Sequence, residues 1–283
     1  MSYEAAVNEH QQENPQQQEL RDEVMDLKDI DWQRLWKSKF TSRRSWRRDA
    51  AFWNERAPSF AKSTDTSYGE QLLELIQPES HWTVYDIGCG SGSLAIPLAQ
   101  QVSSVTAVDF SAGMLAAVNQ HCKEKGVSNV KTILGSWEDD WAKLGIGNYD
   151  IAIASRSMVV DDLQSSILKL DAVARKRVYI VTAVGDGPHD RRLFDAIDRS
   201  FEPGPDYIYY YNLLYHLGMR AQLSFIEEIR NRTFESPEDA AKSLKWMFGS
   251  LTSLEEEKLV AYIRKHLIQR LGKWRLSYSQ TIR

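Results

Sequence analysis

The sequence predicts a doubly wound α/β fold, in which helices cover both faces of a mostly parallel sheet of seven strands. Between residues 82 and 183, short apolar segments alternate with segments of helical periodicity. The apolar segments are almost continuous, which is typical of strands that are buried on both faces. A glycine-rich turn at residues 88–92 follows the first of them and opens a helix. These features indicate parallel βαβ units with a binding crevice at the carboxyl ends of the strands.

The composition limits the classes of protein to consider. The chain has 283 residues, of which 42% are hydrophobic and 26% charged, as in ordinary globular domains. Its formal net charge of -4 gives no overall attraction to nucleic acid. Neither Cys89 nor Cys122 belongs to a C-x-x-C pair, so we expect no metal site and no disulfide framework. With no secretory signal at residues 1–18 and no run of about 18 apolar residues, we expect a cytoplasmic protein without a membrane span.

The first 80 residues divide into two predicted segments. Residues 1–30 are rich in Gln and Glu and poor in large apolar side chains, which predicts a flexible acidic tail. Residues 31–80 show apolar side chains at spacings of three and four, which predicts a helical extension. Its last helix is predicted at Tyr68–Ile76, because Pro78 follows. We expect the main domain to occupy residues 81–283.

The main domain begins with alternating strands and helices. The predicted strands are Trp82–Ile87, Val105–Val108, Val130–Leu134, Tyr149–Ala154 and Arg177–Ala183. The predicted helices between them are Leu94–Val102, Ala112–Lys125 and Leu163–Ala174.

The remaining elements are expected to complete the sheet and to cover the crevice. An aromatic helix is predicted at Tyr207–Leu217, and strands are predicted at Ala221–Phe234 and Trp274–Ile282. Ser236 precedes Pro237, a pair typical of a helix start, so we predict a helical insertion at about 236–271. One strand near an edge of the sheet is expected to be antiparallel.

The strongest chemical signal is the pattern D-x-G-x-G-x-G, formed by Asp86 to Gly92 after the first strand. A tight strand-to-helix turn that a ligand approaches closely requires glycine, because a Cβ atom would clash. A dinucleotide fingerprint would need glycine at position 93, where the chain has Ser93. Asp109 ends the second strand, where a carboxylate can accept hydrogen bonds from both hydroxyls of a cis-diol.

These residues resemble the first motif of the class I S-adenosylmethionine-dependent methyltransferases, and the resemblance extends over about residues 80–184. It implies a Rossmann-like methyltransferase fold and S-adenosyl-L-methionine as the cofactor, with S-adenosyl-L-homocysteine as the product. In that family the glycine loop wraps the methionine part of the cofactor, and the acid after the second strand holds the ribose. The resemblance implies cofactor-binding roles for Asp86, Gly88, Cys89, Gly90, Gly92, Asp109, Phe110, Met114, Ser136, Trp137, Glu138, Ser155 and Tyr68.

The sequence gives less information about the methyl acceptor than about the cofactor. We expect methylation of a small molecule, because the chain is slightly acidic and carries aromatic segments able to enclose a pocket. The candidate catalytic residues are Arg156, His189 and Tyr211. A second hypothesis is a tRNA or rRNA methyltransferase that uses the basic segment 37–48, although that segment also fits the solvated face of amphipathic helices. A third is a non-catalytic protein that binds S-adenosylmethionine.

Overall fold

The computed structural model describes residues 26–41, 48–61, 67–187, 189–270 and 273–282. Its α-helices within these ranges are α1 (Trp32–Thr41), α2 (Ala50–Ala61), α3 (Ser67–Ile76), α4 (Ala95–Ala99), α5 (Ala112–Lys125), α6 (Leu163–Val173), α7 (Arg191–Asp195), α8 (Tyr207–His216), α9 (Pro237–Leu244) and α10 (Ser253–His266). Its strands are β1 (Thr83–Ile87), β2 (Ser104–Asp109), β3 (Val130–Leu134), β4 (Tyr149–Ser155), β5 (Ala174–Val181), β6 (Ile226–Phe234), β7 (Ile268–Arg270) and β8 (Lys273–Ile282).

Five of the strands form the predicted parallel sheet. Their order is β3-β2-β1-β4-β5, and every neighbouring pair is parallel. The chain leaves β1 toward one edge through β2 and β3, and then returns to the other side of β1 through β4 and β5. A crevice therefore opens beside the carboxyl end of β1, where the direction of winding changes.

Helices cover both faces of this sheet, as the apolar strands predict. Val84 packs into one core with side chains of α3, α4 and α5, including Leu72, Leu98 and Val118. The neighbouring Tyr85 points into a second core, which contains side chains of α1, α6 and α8. Because successive strand residues face opposite sides, β1 and β4 must be apolar at nearly every position. The doubly wound α/β fold is confirmed.

The late strands differ from the sequence prediction. Instead of extending the parallel sheet to seven strands, β6, β8 and β7 form a separate antiparallel sheet in the described residues. The segment predicted as helical to residue 271 contains a break at 245–252, and its last helix ends at His266. The short β7 follows and pairs with β8, while β8 also pairs with β6 from Ile226↔Ile282 to Phe234↔Trp274. In the described residues, the late strands therefore pair with one another and not, as predicted, with the main sheet.

A second helical region packs beside the late sheet, and we call residues 190–201 and 234–267 the late lobe. Its own apolar core includes Leu193, Phe194, Leu244, Leu259 and Ile263. The predicted cap at its first long helix is present, since the Ser236 side chain accepts a hydrogen bond from the Asp239 N–H.

The N-terminal segment is helical in its described part. The Trp36 indole donates a 2.8 Å hydrogen bond to the Val160 carbonyl, and this bond ties α1 to the loop after β4. Of the predicted tail, residues 1–25 lie outside the described ranges, and Leu27–Asp29 form one turn of 3₁₀ helix. None of the described helices combines the length and the apolar character that crossing a membrane requires.

Helix α2 packs against α5 with its buried Ala57, and one side chain adds hydrogen bonds to this contact. Asn54 Oδ1 accepts hydrogen bonds from the Ser111 hydroxyl and from the Gly113 N–H, both at 2.8 Å, at the first turn of α5. A Cβ atom on Gly113 would lie 3.1 Å from the Asn54 Cα atom, so glycine allows the two helices to approach this closely.

We therefore expect Asn54→Ala to loosen α2 while the parallel sheet stays folded. Loss of two hydrogen bonds should lower the free energy of unfolding by about 1–2 kcal/mol. Hydrogen exchange measured by mass spectrometry should accelerate in residues 50–61 and remain slow in β1 and β4. Asn119→Ala, an exposed change farther along α5, is the matched control. Unchanged exchange in α2 would contradict the assigned role of Asn54.

Candidate active site

A cleft of about 2070 Å³ opens at the carboxyl ends of the central strands. Its floor consists of the residues that follow β1, β2, β4 and β5. One wall comes from the N-terminal helices and includes Phe52 and Trp53, and the opposite wall comes from the late lobe and includes Trp246. The cleft therefore lies where a doubly wound sheet is expected to bind ligands.

The glycine loop adopts a backbone that other residues rarely reach. Gly88, Gly90 and Gly92 have φ angles of 72°, 55° and 85°. At Gly88 the constraint is also steric, because a Cβ atom would lie 2.2 Å from the Cβ atom of Ser157. The Ser157 hydroxyl donates a 2.5 Å hydrogen bond to the Ile87 carbonyl. The loops after β1 and β4 are thus in direct contact.

Asp86, in β1, is a buried acid without a partner. Its side chain is 1% exposed, and neither carboxylate oxygen has a hydrogen-bond partner in the described residues. Burial, with a further contribution from the charge of Asp109, raises the pKa of Asp86 to about 7. An uncompensated carboxylate is costly to bury, and Asp86 lines the cleft. A bound cationic group would remove this cost.

Asp109 ends β2 and connects the glycine loop to α5. Its carboxylate accepts hydrogen bonds from the Gly90 N–H at 2.9 Å and the Ser111 N–H at 2.8 Å. Burial raises the pKa of Asp109, while these backbone hydrogen bonds act in the opposite direction. Each carboxylate oxygen retains a second lone pair, so the side chain can accept further hydrogen bonds from a ligand.

These residues fit the cofactor that the sequence motif implies. Asp86 offers a negative charge to a cationic group, and Asp109 offers acceptors to a diol. Phe110 is 39% exposed and lines the cleft together with the buried Met114, which gives an apolar surface for a planar base. Cys89 is buried and its pKa is raised well above the ordinary value, first by burial, so its thiol remains protonated and packs as an apolar group.

The structure brings together three candidates from distant parts of the sequence. The Tyr68 and Ser155 hydroxyls hydrogen-bond at 2.5 Å, and the Arg156 guanidinium lies 4.1 Å from the centre of the Tyr68 ring. Arg156 has a φ of 55°, and its N–H donates to the Val181 carbonyl. A positive φ is uncommon in a residue with a side chain and is often found at functional sites. All three residues line the cleft.

Three cofactor-binding candidates lie in the loop after β3, and two of them line the cleft. Ser136 and Trp137 line the cleft, and the Trp137 indole donates a 3.0 Å hydrogen bond to the Ser157 carbonyl. Glu138 is exposed and lies outside the cleft lining, and its contact with the cofactor stays a prediction. Lys169 of α6 holds this loop by donating to the Trp137 and Asp139 carbonyls.

Among the catalytic candidates, Arg156 and His189 line the cleft. The His189 ring contacts Phe194, Phe201 and Trp246 at centroid distances of 6.1, 5.6 and 5.6 Å. Tyr211 is 40% exposed and lies outside the lining, whereas its neighbour Tyr210 on α8 is buried; a catalytic role of Tyr211 stays a prediction.

Sequence reasoning missed the residues that enclose the outer part of the cleft. Phe52, Phe201, Trp246 and Phe248 all line it. Arg48 connects the two walls, since its Nη2 donates a 3.0 Å hydrogen bond to the Trp246 carbonyl. Aromatic residues near positions 50 and 246 are visible in the sequence, but no spacing rule relates segments so far apart.

Comparisons with known proteins identify methyltransferases among the relatives of this chain. A family model described as a methyltransferase domain matches residues 84–176. An uncharacterized protein of Haemophilus influenzae is 38% identical over 214 residues, which cover 74% of this chain and 79% of that protein. The nocamycin O-methyltransferase of Saccharothrix syringae is 30% identical over 90 residues, 31% of each chain. The 23S rRNA (uracil(1939)-C(5))-methyltransferase RlmD of Stenotrophomonas maltophilia is 28% identical over 102 residues, 34% of this chain and 23% of that one.

A solved structure also matches the fold. A protein of Bacillus halodurans aligns with a TM-score of 0.50 and 15% identity, covering 78% of this chain and 96% of that one. The glycine motif, the parallel sheet and the matched family model lead to one assignment. The chain belongs to the class I S-adenosylmethionine-dependent methyltransferases.

Proposed function

We propose that this enzyme methylates a small molecule that is enclosed in the cleft beside the cofactor. The observation that carries the proposal is the size of the cleft and its aromatic lining. Pockets for one small ligand usually measure about 300–1,000 Å³, whereas this cleft measures about 2070 Å³ and is walled by aromatic side chains from both ends of the chain. A cofactor and an acceptor of considerable size fit together in that volume. The similarity to an O-methyltransferase of small molecules supports the same proposal.

Bound S-adenosylmethionine supplies a methyl group activated by a sulfonium. The protein's main contribution is to orient the acceptor along the line of transfer and to exclude water, which lowers such barriers by about 7–11 kcal/mol. In our proposal Asp86 attracts the cationic amino acid part, Asp109 accepts from the ribose hydroxyls, and Phe110 and Met114 contact the adenine. The N-terminal extension and the late lobe cover the acceptor. His189 accepts a proton from acceptors that arrive protonated.

The RNA alternative has less support in the described residues. Of the basic segment 37–48, residues 42–47 lie outside the described ranges. Lys39 pairs with Glu202 at 4.0 Å, and Arg48 faces the cleft wall. The rRNA relative named above methylates a pyrimidine carbon; a cysteine nucleophile for such chemistry is missing here, since Cys89 and Cys122 are both buried. A gel-shift assay with total RNA tests this alternative, and a specific complex would favour it.

Asp109→Asn should weaken binding of S-adenosylmethionine by about 10- to 100-fold, because hydrogen bonds to a charged acceptor contribute about 1.5–3 kcal/mol. Isothermal titration calorimetry measures the affinity directly, and thermal unfolding verifies that the variant folds. Asp171→Asn removes an exposed acid from α6 and should bind normally. Normal binding by the Asp109 variant would exclude the proposed ribose contact.

The affinity for S-adenosylmethionine should rise about tenfold between pH 6 and pH 8, because Asp86 must be ionised to attract a cation and its pKa is about 7. In the ligand-free protein, a rise in pH has the opposite effect, because it lowers the stability of the fold. The unfolded chain releases this proton near the ordinary pKa of 3.8 and the folded chain only near 7, so Asp86 destabilises the fold increasingly as pH rises through this window. Asp86→Asn should flatten the pH profile of calorimetric affinity and raise the melting temperature of ligand-free protein at pH 8. A pH-dependent affinity that persists in this variant would assign the effect to another group.

His189→Gln should lower kcat by about 10²- to 10⁴-fold for an acceptor that must lose a proton, while the dissociation constant of the cofactor stays the same. The measurement is turnover with labelled S-adenosylmethionine on acceptors from a metabolite extract, recorded against pH. An unchanged kcat would remove His189 from the proposed chemistry. His266→Gln, a change at an exposed position at the end of α10, is the control.

A further inference from the structure

We infer that the methyl acceptor is a planar aromatic carboxylic acid, bound between the two walls of the cleft with its carboxylate on Arg48. The inference rests on the proposed function, since it requires the acceptor to be a small molecule inside the cleft. It adds a chemical class and a specificity-determining residue.

Two aromatic surfaces face the outer part of the cleft. On α2, Phe52 and Trp53 lie with ring centres 5.2 Å apart and nearly perpendicular planes. On the side of the late lobe, the half-buried rings of His189 and Trp246 lie 5.6 Å apart and line the cleft. Behind them lies a buried cluster of three aromatic rings, those of Phe194, Phe201 and Phe248. Aromatic side chains bind planar rings by stacking and by edge-to-face contact. These surfaces therefore favour a flat, apolar acceptor.

A cationic group lies at the junction of these two surfaces. Arg48 is half-buried, its guanidinium carbon lies 4.9 Å from the centre of the Phe52 ring, and its Nη2 donates to the Trp246 carbonyl. The guanidinium carbon of Arg56 lies 4.4 Å from the same Phe52 ring. The apolar part of the cleft is consequently bordered by positive charge on α2 and just before it.

The donors of Arg48 are only partly used. A guanidinium carries five N–H groups in a planar fork, and within the described residues Arg48 makes one hydrogen bond, to a neutral carbonyl. Two acids that line the same cleft form ion pairs with other residues: Asp186 with Arg191 at 2.8 Å, and the exposed Glu202 with Lys39 at 4.0 Å. The remaining fork of Arg48 matches a carboxylate, which it can bind with two parallel hydrogen bonds.

The test compares two probes of the same shape, 2-naphthoate and the uncharged 2-naphthamide. Their binding to the full chain is measured by calorimetry with and without S-adenosylhomocysteine, which cannot donate a methyl group. We expect 2-naphthoate to bind at least about tenfold more tightly than 2-naphthamide. Arg48→Gln should abolish this preference, because glutamine keeps a donor for the Trp246 carbonyl but lacks the charge. Arg48→Lys should retain part of it, and Arg34→Gln, on the exposed face of α1, should retain all of it.

The outcomes separate this inference from the proposed function. Equal binding of the two probes, no binding of 2-naphthoate, or an unchanged preference in Arg48→Gln would each overturn the carboxylate assignment while leaving S-adenosylhomocysteine binding intact. Failure of S-adenosylhomocysteine to bind the wild-type chain would instead contradict the proposed function. Calorimetry of S-adenosylhomocysteine with Arg48→Gln verifies that the cofactor half of the cleft is unaffected.

Discussion

Two carboxylates, Asp86 and Asp109, are buried at the ends of neighbouring parallel strands, and the geometry of the cleft follows from this arrangement. Parallel strands terminate at the same edge of the sheet, so acids near the ends of β1 and β2 come close together without any long loop. Burial, and to a smaller extent the charge of Asp109, raises the pKa of Asp86 to about 7. A folded chain retains such an arrangement only when the rest of the structure stabilises it. Here the Gly90 and Ser111 N–H groups stabilise Asp109, and the charge of Asp86 is left for a ligand.

The Asp109 carboxylate also connects the glycine loop to the N-terminal extension. Asp109 accepts from the Ser111 N–H, the Ser111 hydroxyl donates to Asn54, and Asn54 holds α2 against α5. Helix α2 also carries Phe52, which lines the outer part of the cleft. A ligand that displaces Asp109 would therefore act on the wall through three hydrogen-bonded residues. This chain of contacts gives a physical route by which the cofactor half and the acceptor half influence each other.

Local sequence predicted those parts of the molecule whose partners are close along the chain. The strands from Trp82 to Val181, the glycine loop and the cap at Ser236 depend on residues within a few positions of each other. Strand β6 pairs with β8, with Ile226 opposite Ile282. Local sequence does not predict this pairing, because each strand could equally have joined an edge of the parallel sheet. The cleft wall depends on Arg48 reaching Trp246, 198 residues away. Side-chain periodicity predicts which face of an element is buried, but it does not predict which other element packs against that face.

The two halves of the cleft also differ in charge, and this difference gives each ligand a defined place. The inner half presents Asp86 and Asp109 together with Arg156, whereas the outer half contains Arg48 and Arg56 as well as Asp186 and Glu202, which form ion pairs. In the proposed arrangement, a cationic group of the cofactor placed beside Arg48, or an anionic acceptor placed beside Asp86, would meet a like charge and be repelled. Such repulsion contributes to selectivity as much as attraction does. With a cation and an anion each restricted to one half, the reacting groups meet at the residues between them, where the loops after β1 and β4 are in contact through Gly88 and Ser157.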